Sequence, residues 1–363
     1  MIRLFSPFVP KDVYEEVKKT LSSTHLTQGS KVEEFERNFK ELFDIEYPVS
    51  VNSGTSALEL AYELIGIKPG DEVITTPLTC TATNIPLLRL GAKIVWADIE
   101  EDTLCIDPTD VFRKVTERTK AIVQVHLGGV MSMVTHLSSS TGDKLNQYIP
   151  IVSDACQALG IFTGDYTCCS FQAIKHITTG DGGMLVVSNN VDYKKAKLMR
   201  WFGIDRERPI VDDWKSYKTR MMSFDIEVLG TKRHMNDIDA TMGIVGLTYY
   251  NYVLHYRKNL FNIYREKLRN IKGIKLIDGG LNTYWLVTVL VERRDDFAKL
   301  LYEHGIETNI VQVRNDQYSI FGGKKANLPI MDKIEGKYIS IPIGTHVTVD
   351  NAEYICKTIR GGW

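Results

Sequence analysis

The sequence of 363 residues has almost no net charge, few cysteines and no long hydrophobic stretch. With a formal net charge of -1, it has no overall field that would attract DNA or an anionic membrane, and we expect neither as a partner. The N-terminal segment meets Pro7, Pro10 and several charges before any long apolar run, which argues against a secretory signal or a membrane span. We therefore expect a cytoplasmic protein.

The six cysteines show neither a CxxC pair nor the cysteine and histidine spacing that holds zinc, so no metal site is expected. Cys168 and Cys169 are adjacent in a predicted strand and should face opposite sides of it. Reduced thiols are the simplest expectation.

Short apolar runs alternate with helical patterns through roughly the first two hundred residues, in a chain long enough for about two domains. This alternation predicts an α/β fold, with a mostly parallel sheet covered by helices on both faces. The predicted strands are Val49–Asn52, Val73–Thr76, Lys93–Asp98, Ala121–Val125, Ile149–Val152, Cys168–Phe171 and Met184–Val187.

The pattern changes after about residue 240. A long helical stretch, Asp237–Arg269, precedes a predicted strand at Tyr284–Val291, a helix at Asp295–His304, and a terminal strand and helix. We expect a large domain over residues 1–240 and a smaller α+β domain over residues 241–363. The segment Asp205–Arg220 has no periodicity and is predicted to be a surface loop or lid.

Ligands of parallel α/β sheets gather at the carboxyl ends of the strands, and polar residues follow several of the predicted strands. Gly54, Thr55 and Ser56 lie between a strand and a helix, where a glycine, hydroxyls and amide N–H groups form a natural phosphate cradle. Serine and threonine at a helix start are often only capping residues, so the motif alone is weak.

Asp154 ends a predicted apolar strand, and Gln157 follows three residues later. A carboxylate in this position either caps the next turn or holds a protonated pyridine nitrogen, and these residues alone leave both readings open.

Lys175 follows another predicted buried strand and precedes a turn with three glycines. A lysine that attacks a carbonyl must be neutral, although its reference pKa is about 10.4, and so it needs a dry or cationic setting. Most lysines are simply solvated. Lys232, in a basic loop before the long helix, would by itself be taken as solvated too.

These segments together resemble the sugar aminotransferases of the DegT/DnrJ/EryC/StrS family, within the fold-type I pyridoxal-phosphate enzymes. The lysine segment resembles the family signature SFxxxKxxTTGEGG, and its spacing from a DxxQA segment makes coincidence implausible. The resembling segments are His25–Gly29, Asn52–Ala57, Asp154–Ala158, Ser170–Gly183 and Tyr284–Trp285.

The resemblance implies a fold-type I large domain with a mostly parallel, seven-stranded sheet, and pyridoxal 5′-phosphate as cofactor, with pyridoxamine 5′-phosphate as its second form. It implies that Lys175 bonds to the cofactor and then shuttles a proton. Asp154 would pair with the pyridinium nitrogen and Gln157 with the phenolic oxygen. The phosphate would be held by Gly54, Thr55, Ser56 and Ser170.

The family also implies a homodimer with shared active sites, in which the loop before the long helix completes the partner's phosphate site. Lys232 stands where asparagine is commonest, and lysine can still contact a phosphate as a point charge. Cys80 replaces an aromatic residue that stacks on the cofactor ring, so it is a cofactor contact without a π face. The segment Gln312–Asp316 lacks the family's usual substrate-facing histidine.

Thr178–Gly183 favours amination at sugar C4, with a 4-keto-6-deoxyhexose on UDP, TDP or GDP as substrate and glutamate as donor. The alternatives are a C3 sugar aminotransferase, an aminocyclitol aminotransferase, and a catalytically silent cofactor-binding regulatory protein. Some relatives are dehydratases with histidine in place of the lysine. Lys175 argues against that reaction here, and His176 is one position too late to substitute.

Overall fold

The computed structural model describes residues 1–134, 148–206 and 225–363, so the predicted loop or lid at Asp205–Arg220 lies almost wholly outside the described residues. Within them, the strands are β1 Pro48–Val51, β2 Glu72–Thr75, β3 Lys93–Trp96, β4 Thr119–Val125, β5 Ile151–Asp154, β6 Tyr166–Ser170, β7 Gly183–Val187, β8 Ile274–Leu276, β9 Val287–Val291 and β10 Tyr338–Ile341. The helices are α1 Asp12–Leu21, α2 Ser30–Phe43, α3 Gly54–Ile65, α4 Thr81–Arg89, α5 Pro108–Lys114, α6 Asn190–Met199, α7 Asp237–Leu268, α8 Arg294–Glu303, α9 Pro329–Ile334 and α10 Val349–Arg360.

The first seven strands form one sheet in the order β1-β7-β6-β5-β4-β2-β3. All of them run in one direction except β7, which is antiparallel to β1 and β6. The mostly parallel, seven-stranded sheet expected from the sequence is confirmed. Its central strands β5 and β6 are buried except at Ser170, the last residue of β6, which explains why they appear in the sequence as nearly continuous apolar runs.

Cys168 and Cys169 face opposite sides of β6, as expected. Cys168 packs in the hydrophobic cluster under α3, whereas Cys169 packs in the cluster that holds the phenylalanines of α2. Burial raises the pKa of both thiols, so both remain protonated and act as small apolar groups.

The last three strands form a small antiparallel sheet in the order β10-β9-β8, covered by α8 and α10. The predicted strand Tyr284–Val291 begins only at Val287, because Tyr284 adopts a left-handed conformation with φ 58°. The backbone N–H of Tyr284 donates to Asn282 Oδ1 at 2.6 Å, and that of Leu286 donates to the Gly128 carbonyl at 2.9 Å. These bonds turn the start of the apolar run towards the large sheet.

The 32-residue helix α7 belongs to both hydrophobic cores. Ala240 and Tyr250 pack with the large sheet, whereas Phe261 and Tyr264 pack with the small one. The division of the chain at residues 240 and 241 stays a prediction, and this packing favours a boundary farther along α7.

Helices α2 and α7 cross closely where α7 has a glycine. A Cβ atom on Gly243 would lie 2.6 Å from the Phe35 ring, so the helices can approach only because this position lacks a side chain. Asp237, the first residue of α7, also accepts hydrogen bonds from the backbone N–H groups of Gly29 and Val32 at 2.7 and 3.2 Å. The start of α7 therefore caps the start of α2.

We expect Gly243→Ala to destabilise the protein, although alanine is the better helix former by about 1 kcal/mol. Overpacking against Phe35 costs about 1–3 kcal/mol, so the net loss in the free energy of unfolding should be about 1 kcal/mol in urea denaturation. Gly336→Ala is the matched control, because a Cβ there meets nothing within 4 Å. A Gly243→Ala variant about 1 kcal/mol more stable than wild type would show that α2 and α7 can move apart at no cost.

Candidate active site

The carboxyl ends of the parallel strands bring the predicted site residues to one edge of the sheet. Asp154 is the last residue of β5, and Ser170 is the last residue of β6 beside it. His126 follows β4, and its backbone N–H donates to the Asp154 carbonyl at 3.1 Å. The site is thus built at the place where polar side chains can leave the hydrophobic layer.

Asp154 has a buried carboxylate, with 4% of its surface exposed. Its Oδ2 accepts a hydrogen bond from the Thr83 hydroxyl at 2.6 Å, and its Oδ1 accepts one from the Cys156 backbone N–H at 3.0 Å. Thr79 hydrogen-bonds to Thr83 at 2.8 Å, which extends the chain of hydroxyls. Among the described residues, no cation forms an ion pair with this carboxylate.

Gln157 is also buried, and its Oε1 accepts a hydrogen bond from the Gly128 backbone N–H at 2.8 Å. A backbone N–H can only donate, so this bond fixes which end of the amide is the oxygen. The amide NH₂ is then the end of Gln157 that can donate to a ligand.

Gly54 begins α3 at a point where three segments meet. A Cβ atom on Gly54 would lie 2.8 Å from Cys156 Sγ and 2.9 Å from Ser170 Cβ, so only glycine fits. A Cβ on Gly183 would likewise lie 2.4 Å from the Ser53 carbonyl oxygen. The predicted cradle is therefore pressed against the ends of β5 and β6, with the N-terminus of α3 facing the same edge.

The hydroxyls of the cradle differ in their surroundings. Thr55 is exposed, whereas Ser56 is buried and donates its hydroxyl proton to Asn52 Oδ1 at 2.6 Å. The Ser56 backbone N–H donates to the capping Ser53 Oγ at 3.0 Å. Ser170 is half-buried, and its Oγ accepts a hydrogen bond from the Gln172 backbone N–H at 3.3 Å. Ser56 thus serves first to shape the helix start.

Lys175 is half-buried in the loop that follows β6. Burial lowers the pKa of Lys175 below its usual value, while the neighbouring Cys156, Asp154 and Cys80 groups act in the opposite direction. Its Nζ lies 3.9 Å from the centroid of the Trp285 ring. Burial therefore favours the neutral amine that attack on a carbonyl requires.

Besides Thr55, the predicted site residues that are exposed are Cys80 and Lys232. Cys80 caps the start of α4 and lies close enough to Lys175 to influence its pKa. Lys232 Nζ lies 5.9 Å from the centroid of the Trp201 ring. The next residue, Arg233, accepts a hydrogen bond from Asn52 N–H at 2.8 Å through its carbonyl, so this loop borders the cradle.

The segment Gln312–Asp316 docks on the loop after β2. Asn315 N–H donates to the Pro77 carbonyl at 2.7 Å, and its side-chain Nδ2 donates to the Thr79 carbonyl at 2.8 Å. Arg314 is 1% exposed and forms a bidentate ion pair with Asp316 at 2.7 and 2.8 Å. The guanidinium of Arg314 holds this segment together and is not presented to a substrate.

Three residues of the site were not predicted from the sequence: Thr83, His126 and Trp285. Thr83 is 71 positions from Asp154 along the chain and sits inside a helix, where its pattern carries no signal. Trp285 was noted only as part of a resembling segment. The one sequence signal for His126 is its position as a polar residue just after a predicted strand.

The comparisons with known proteins agree with this architecture. Residues 9–360 match the DegT/DnrJ/EryC1/StrS aminotransferase family. The chain is 30% identical to the spore coat polysaccharide biosynthesis protein SpsC of Bacillus subtilis, over 98% of this chain and 95% of that protein. It is 27% identical to the dTDP-4-dehydro-2,3,6-trideoxy-D-glucose 4-aminotransferase of Saccharopolyspora spinosa, over 97% and 94%. The sugar aminotransferase CalS13 of Micromonospora echinospora superposes with a TM-score of 0.92 at 29% identity, covering both chains completely.

The fold and the family place this protein among the enzymes that move amino groups with pyridoxal 5′-phosphate. The chain belongs to the DegT/DnrJ/EryC1/StrS aminotransferase family and is a sugar aminotransferase. Its residues fit the cofactor, because the N-terminus of α3 at Gly54 lies at the same sheet edge as the buried Asp154 carboxylate, with which no described cation forms an ion pair.

Within the described residues, no group of histidine, cysteine and carboxylate side chains could hold a metal ion. The described helices also include none that is long and apolar enough to cross a membrane.

His126 supports the site as a neutral side chain. Its Nδ1 accepts a hydrogen bond from Ser132 N–H at 3.0 Å, so Nε2 carries the proton and donates to Thr163 Oγ1 at 3.1 Å. Burial lowers the pKa of His126 to about 3. The ring therefore stays uncharged in the folded protein throughout the physiological range.

We expect the buried His126 to make the protein less stable as the pH falls. The unfolded chain binds a proton at this residue below about pH 6.5, whereas the folded chain does so only near pH 3. Stability is therefore lost as the pH falls below about 6.5. His126→Gln should reduce the loss in unfolding free energy between pH 7 and 5.5 by about 1 kcal/mol in urea titrations. Exposed His25→Gln is the control, and equal losses in both variants would contradict the assignment.

Proposed function

We propose that the enzyme transfers an amino group from glutamate to a nucleotide-linked 4-keto-6-deoxyhexose, giving a 4-amino-4,6-dideoxy sugar nucleotide. The observation that carries the proposal is the pair formed by Asp154 and Lys175. The first is a buried carboxylate that forms no ion pair with any described residue, and the second is a nearby amine whose pKa is lowered by burial. A cationic heteroaromatic ring with a reactive aldehyde matches both.

Pyridoxal phosphate, when bound, supplies an electron sink that stabilises negative charge at the α-carbon of the donor amino acid. Lys175 would hold the cofactor through its Nζ, whose neutral form burial favours. The same Nζ would take a proton from the donor's α-carbon and later return one to the substrate. Lys175 would thus anchor the cofactor and serve as the acid and base.

Asp154 would accept a hydrogen bond from the ring N–H and keep that nitrogen protonated. Its two other hydrogen bonds, from Thr83 and from the Cys156 backbone, fix the carboxylate in one orientation. Gln157 would donate its NH₂ to the phenolic oxygen, because its oxygen is already committed to Gly128. The ring would therefore be held at two of its polar positions.

The cradle would take the phosphate. Gly54 lets the backbone approach closely, and the N-terminus of α3 favours an anion. The hydroxyls of Thr55 and Ser170 are the side-chain donors best placed for it, because Ser56 already donates its proton to Asn52. Cys80 would lie at the ring as a small contact without stacking.

Amination at C4 is supported by the sequence of the segment Thr178–Gly183 and by the relative from S. spinosa, whose name specifies a 4-aminotransferase. No structural observation favours the C3 or aminocyclitol alternatives.

The test is to incubate the enzyme with pyridoxal phosphate, glutamate and a panel of 4-keto-6-deoxy sugars on UDP, TDP and GDP. A 3-keto nucleotide sugar and a free inosose complete the panel. We expect 2-oxoglutarate to form with a 4-keto substrate, with the new amine at C4 by NMR. Lys175→Ala should lose at least about 10³-fold in rate, as expected for removal of a covalent catalyst, together with the visible absorbance of the lysine-bound cofactor.

The exposed Lys195→Ala is the control for that variant and should retain activity. Product from the 3-keto sugar or the inosose alone would contradict the C4 assignment. Cofactor binding without turnover on any substrate would favour the regulatory alternative.

We propose further that the enzyme works as a homodimer in which Lys232 of one subunit contacts the cofactor phosphate of the other. Lys232 is exposed and forms no ion pair with any described carboxylate. The loop that carries it borders the cradle through the bond between Arg233 and Asn52. A cation that has no acidic partner suits a phosphate from outside its own chain.

Mixed dimers test this arrangement. We expect Lys175→Ala and Lys232→Ala homodimers to be impaired, and a dimer with one subunit of each kind to regain activity at one of its two sites. If Lys232 acts across the interface, the site on the Lys232→Ala subunit has its own intact Lys175 and an intact Lys232 from the other subunit. If Lys232 acts within its own chain, each site of the mixed dimer lacks one of the two lysines. Steady-state rates after denaturing, mixing and refolding distinguish the two. No recovery, with heterodimers demonstrated by mass, would refute the shared site.

A further inference from the structure

Trp285 lies next to the amine of Lys175, although the two residues are more than a hundred positions apart in the sequence. The Nζ atom lies 3.9 Å from the centroid of the indole ring, which is well inside the distance for a cation–π contact. Trp285 is 1% exposed. It lies in the segment that leads into β9 of the small sheet and is not part of the large sheet. The indole face therefore forms one wall around the reactive amine.

Two contacts fix the ring in place, and a third fixes its backbone. The indole Nε1–H donates to the Ile174 carbonyl at 3.0 Å, in the residue just before the lysine. Phe5 stacks on the ring, with centroids 5.5 Å apart and an interplanar angle of 27°. The indole cannot rotate away from Lys175 without breaking these two contacts. The Trp285 backbone carbonyl accepts a hydrogen bond from Arg257 Nη1 at 3.1 Å.

The turn before Trp285 is held in a conformation that L-residues rarely adopt. Tyr284 has φ 58°, and its carbonyl accepts a second bond from Arg257 Nη1 at 3.3 Å. A Cβ on Gly129 would lie 2.9 Å from the Tyr284 and Trp285 nitrogens, so the turn is pressed against the loop after β4. Such conformations persist where the surroundings determine them, and they cluster at functional sites.

We propose that Trp285 is a positioning residue, whose indole face holds the Lys175 amine whenever that amine is not bonded to the cofactor and stabilises its protonated form. This inference rests on the proposed role of Lys175. During turnover the freed amine must alternate between neutral and protonated states close to the reacting carbon. A π face accommodates both states, since it is apolar towards the neutral amine and attractive to the cation.

The contact also opposes the effect of burial on the lysine. Burial lowers the pKa of Lys175, and the indole face gives the ammonium form a partner in the same partly buried position. Removing the face should therefore lower the pKa further. Among the described residues, Asp154, Cys156 and Cys80 also act on the Lys175 amine, and the adjacent His176 interacts with both Lys175 and Arg257.

The test compares Trp285→Phe with Trp285→Leu. Both variants lose the indole N–H bond to Ile174, but only the leucine variant loses the aromatic face. Trp363→Leu is the control, because the Trp363 Nε1–H also donates to a backbone carbonyl, that of Glu292, at 2.7 Å, and its ring packs against the small sheet's core.

The measurement is competitive acetylation of Lys175 in the full-length protein stripped of cofactor. Peptide mass spectrometry follows the labelling across a pH series, with exposed Lys11 as internal reference. The pH of half-maximal labelling reports the pKa of the amine and does not move with accessibility alone. At a fixed pH below that midpoint, the labelling rate of each variant is divided by the same variant's rate at high pH. This normalised rate should be on the order of fivefold higher in Trp285→Leu than in wild type, and close to wild type in Trp285→Phe and Trp363→Leu.

A second readout uses the loaded enzyme. Trp285→Leu should slow the half-reaction with glutamate about tenfold with a smaller change in KM, as expected for a misplaced amine, and Trp285→Phe should recover most of the rate. If Trp285→Leu does not fold, Phe5→Leu loosens the far side of the indole and should shift the labelling midpoint in the same direction.

Equal labelling midpoints in all variants would overturn the proposal. An equal shift in the phenylalanine and leucine variants would also overturn it, because the N–H bond would then be responsible. A wild-type protein that transfers no amino group would refute the proposed function instead, since the labelling midpoints are measured without cofactor.

Discussion

A buried carboxylate is the constraint around which this site is organised. Asp154 is removed from water at the end of β5, where an isolated negative charge is costly unless it is hydrogen-bonded or paired. The protein supplies two hydrogen bonds to it, from Thr83 and from the Cys156 backbone, and no ion pair among the described residues. Lys175 lies near enough for its pKa to respond to this carboxylate, but it forms no ion pair with it. Under the proposed function, a protonated pyridine ring would supply the cation that the carboxylate lacks.

The rest of the site follows from how close the neighbouring segments must come to Asp154. The cradle at Gly54 touches Cys156 and Ser170, and Gly183 touches the residue before the cradle. Two glycines thus allow three strand ends and a helix N-terminus to share one small space. The amine of Lys175 reaches this space from the loop after β6. Trp285 of the same chain, just before β9, covers it. Under the proposed function, Lys232 of a second subunit would add a phosphate contact to these residues of one chain.

Much of the fold could be predicted from the sequence, because strands buried on both faces are continuous apolar runs. The predicted strands lie within about two residues of those observed, and the predicted long helix differs from α7 by one residue at its end. The strand at Tyr284–Val291 was placed three residues too early at its start. Apolarity alone does not reveal a left-handed turn, and the bonds that produce it come from Asn282 and Gly128.

The predicted site residues could be found where a motif is local in sequence, as in the cradle and the lysine loop. Thr83 and Trp285 could not, because each acts through a contact that exists only after folding. The role of Arg314 also depends on contacts that form only on folding. Its segment resembles the family's substrate-facing one, and in the folded chain its guanidinium pairs with Asp316.

The continuity of α7 has a consequence for how the molecule comes apart. One helix contributes Ala240 and Tyr250 to the first core and Phe261 and Tyr264 to the second. Neither core can melt without exposing half of a helix on which the other depends. The two cores should therefore lose structure in a single cooperative step rather than as independent foldons. The slowest-exchanging amide hydrogens of the two cores would then report the same opening free energy. Helix α7 would act as the mechanical link between the cores.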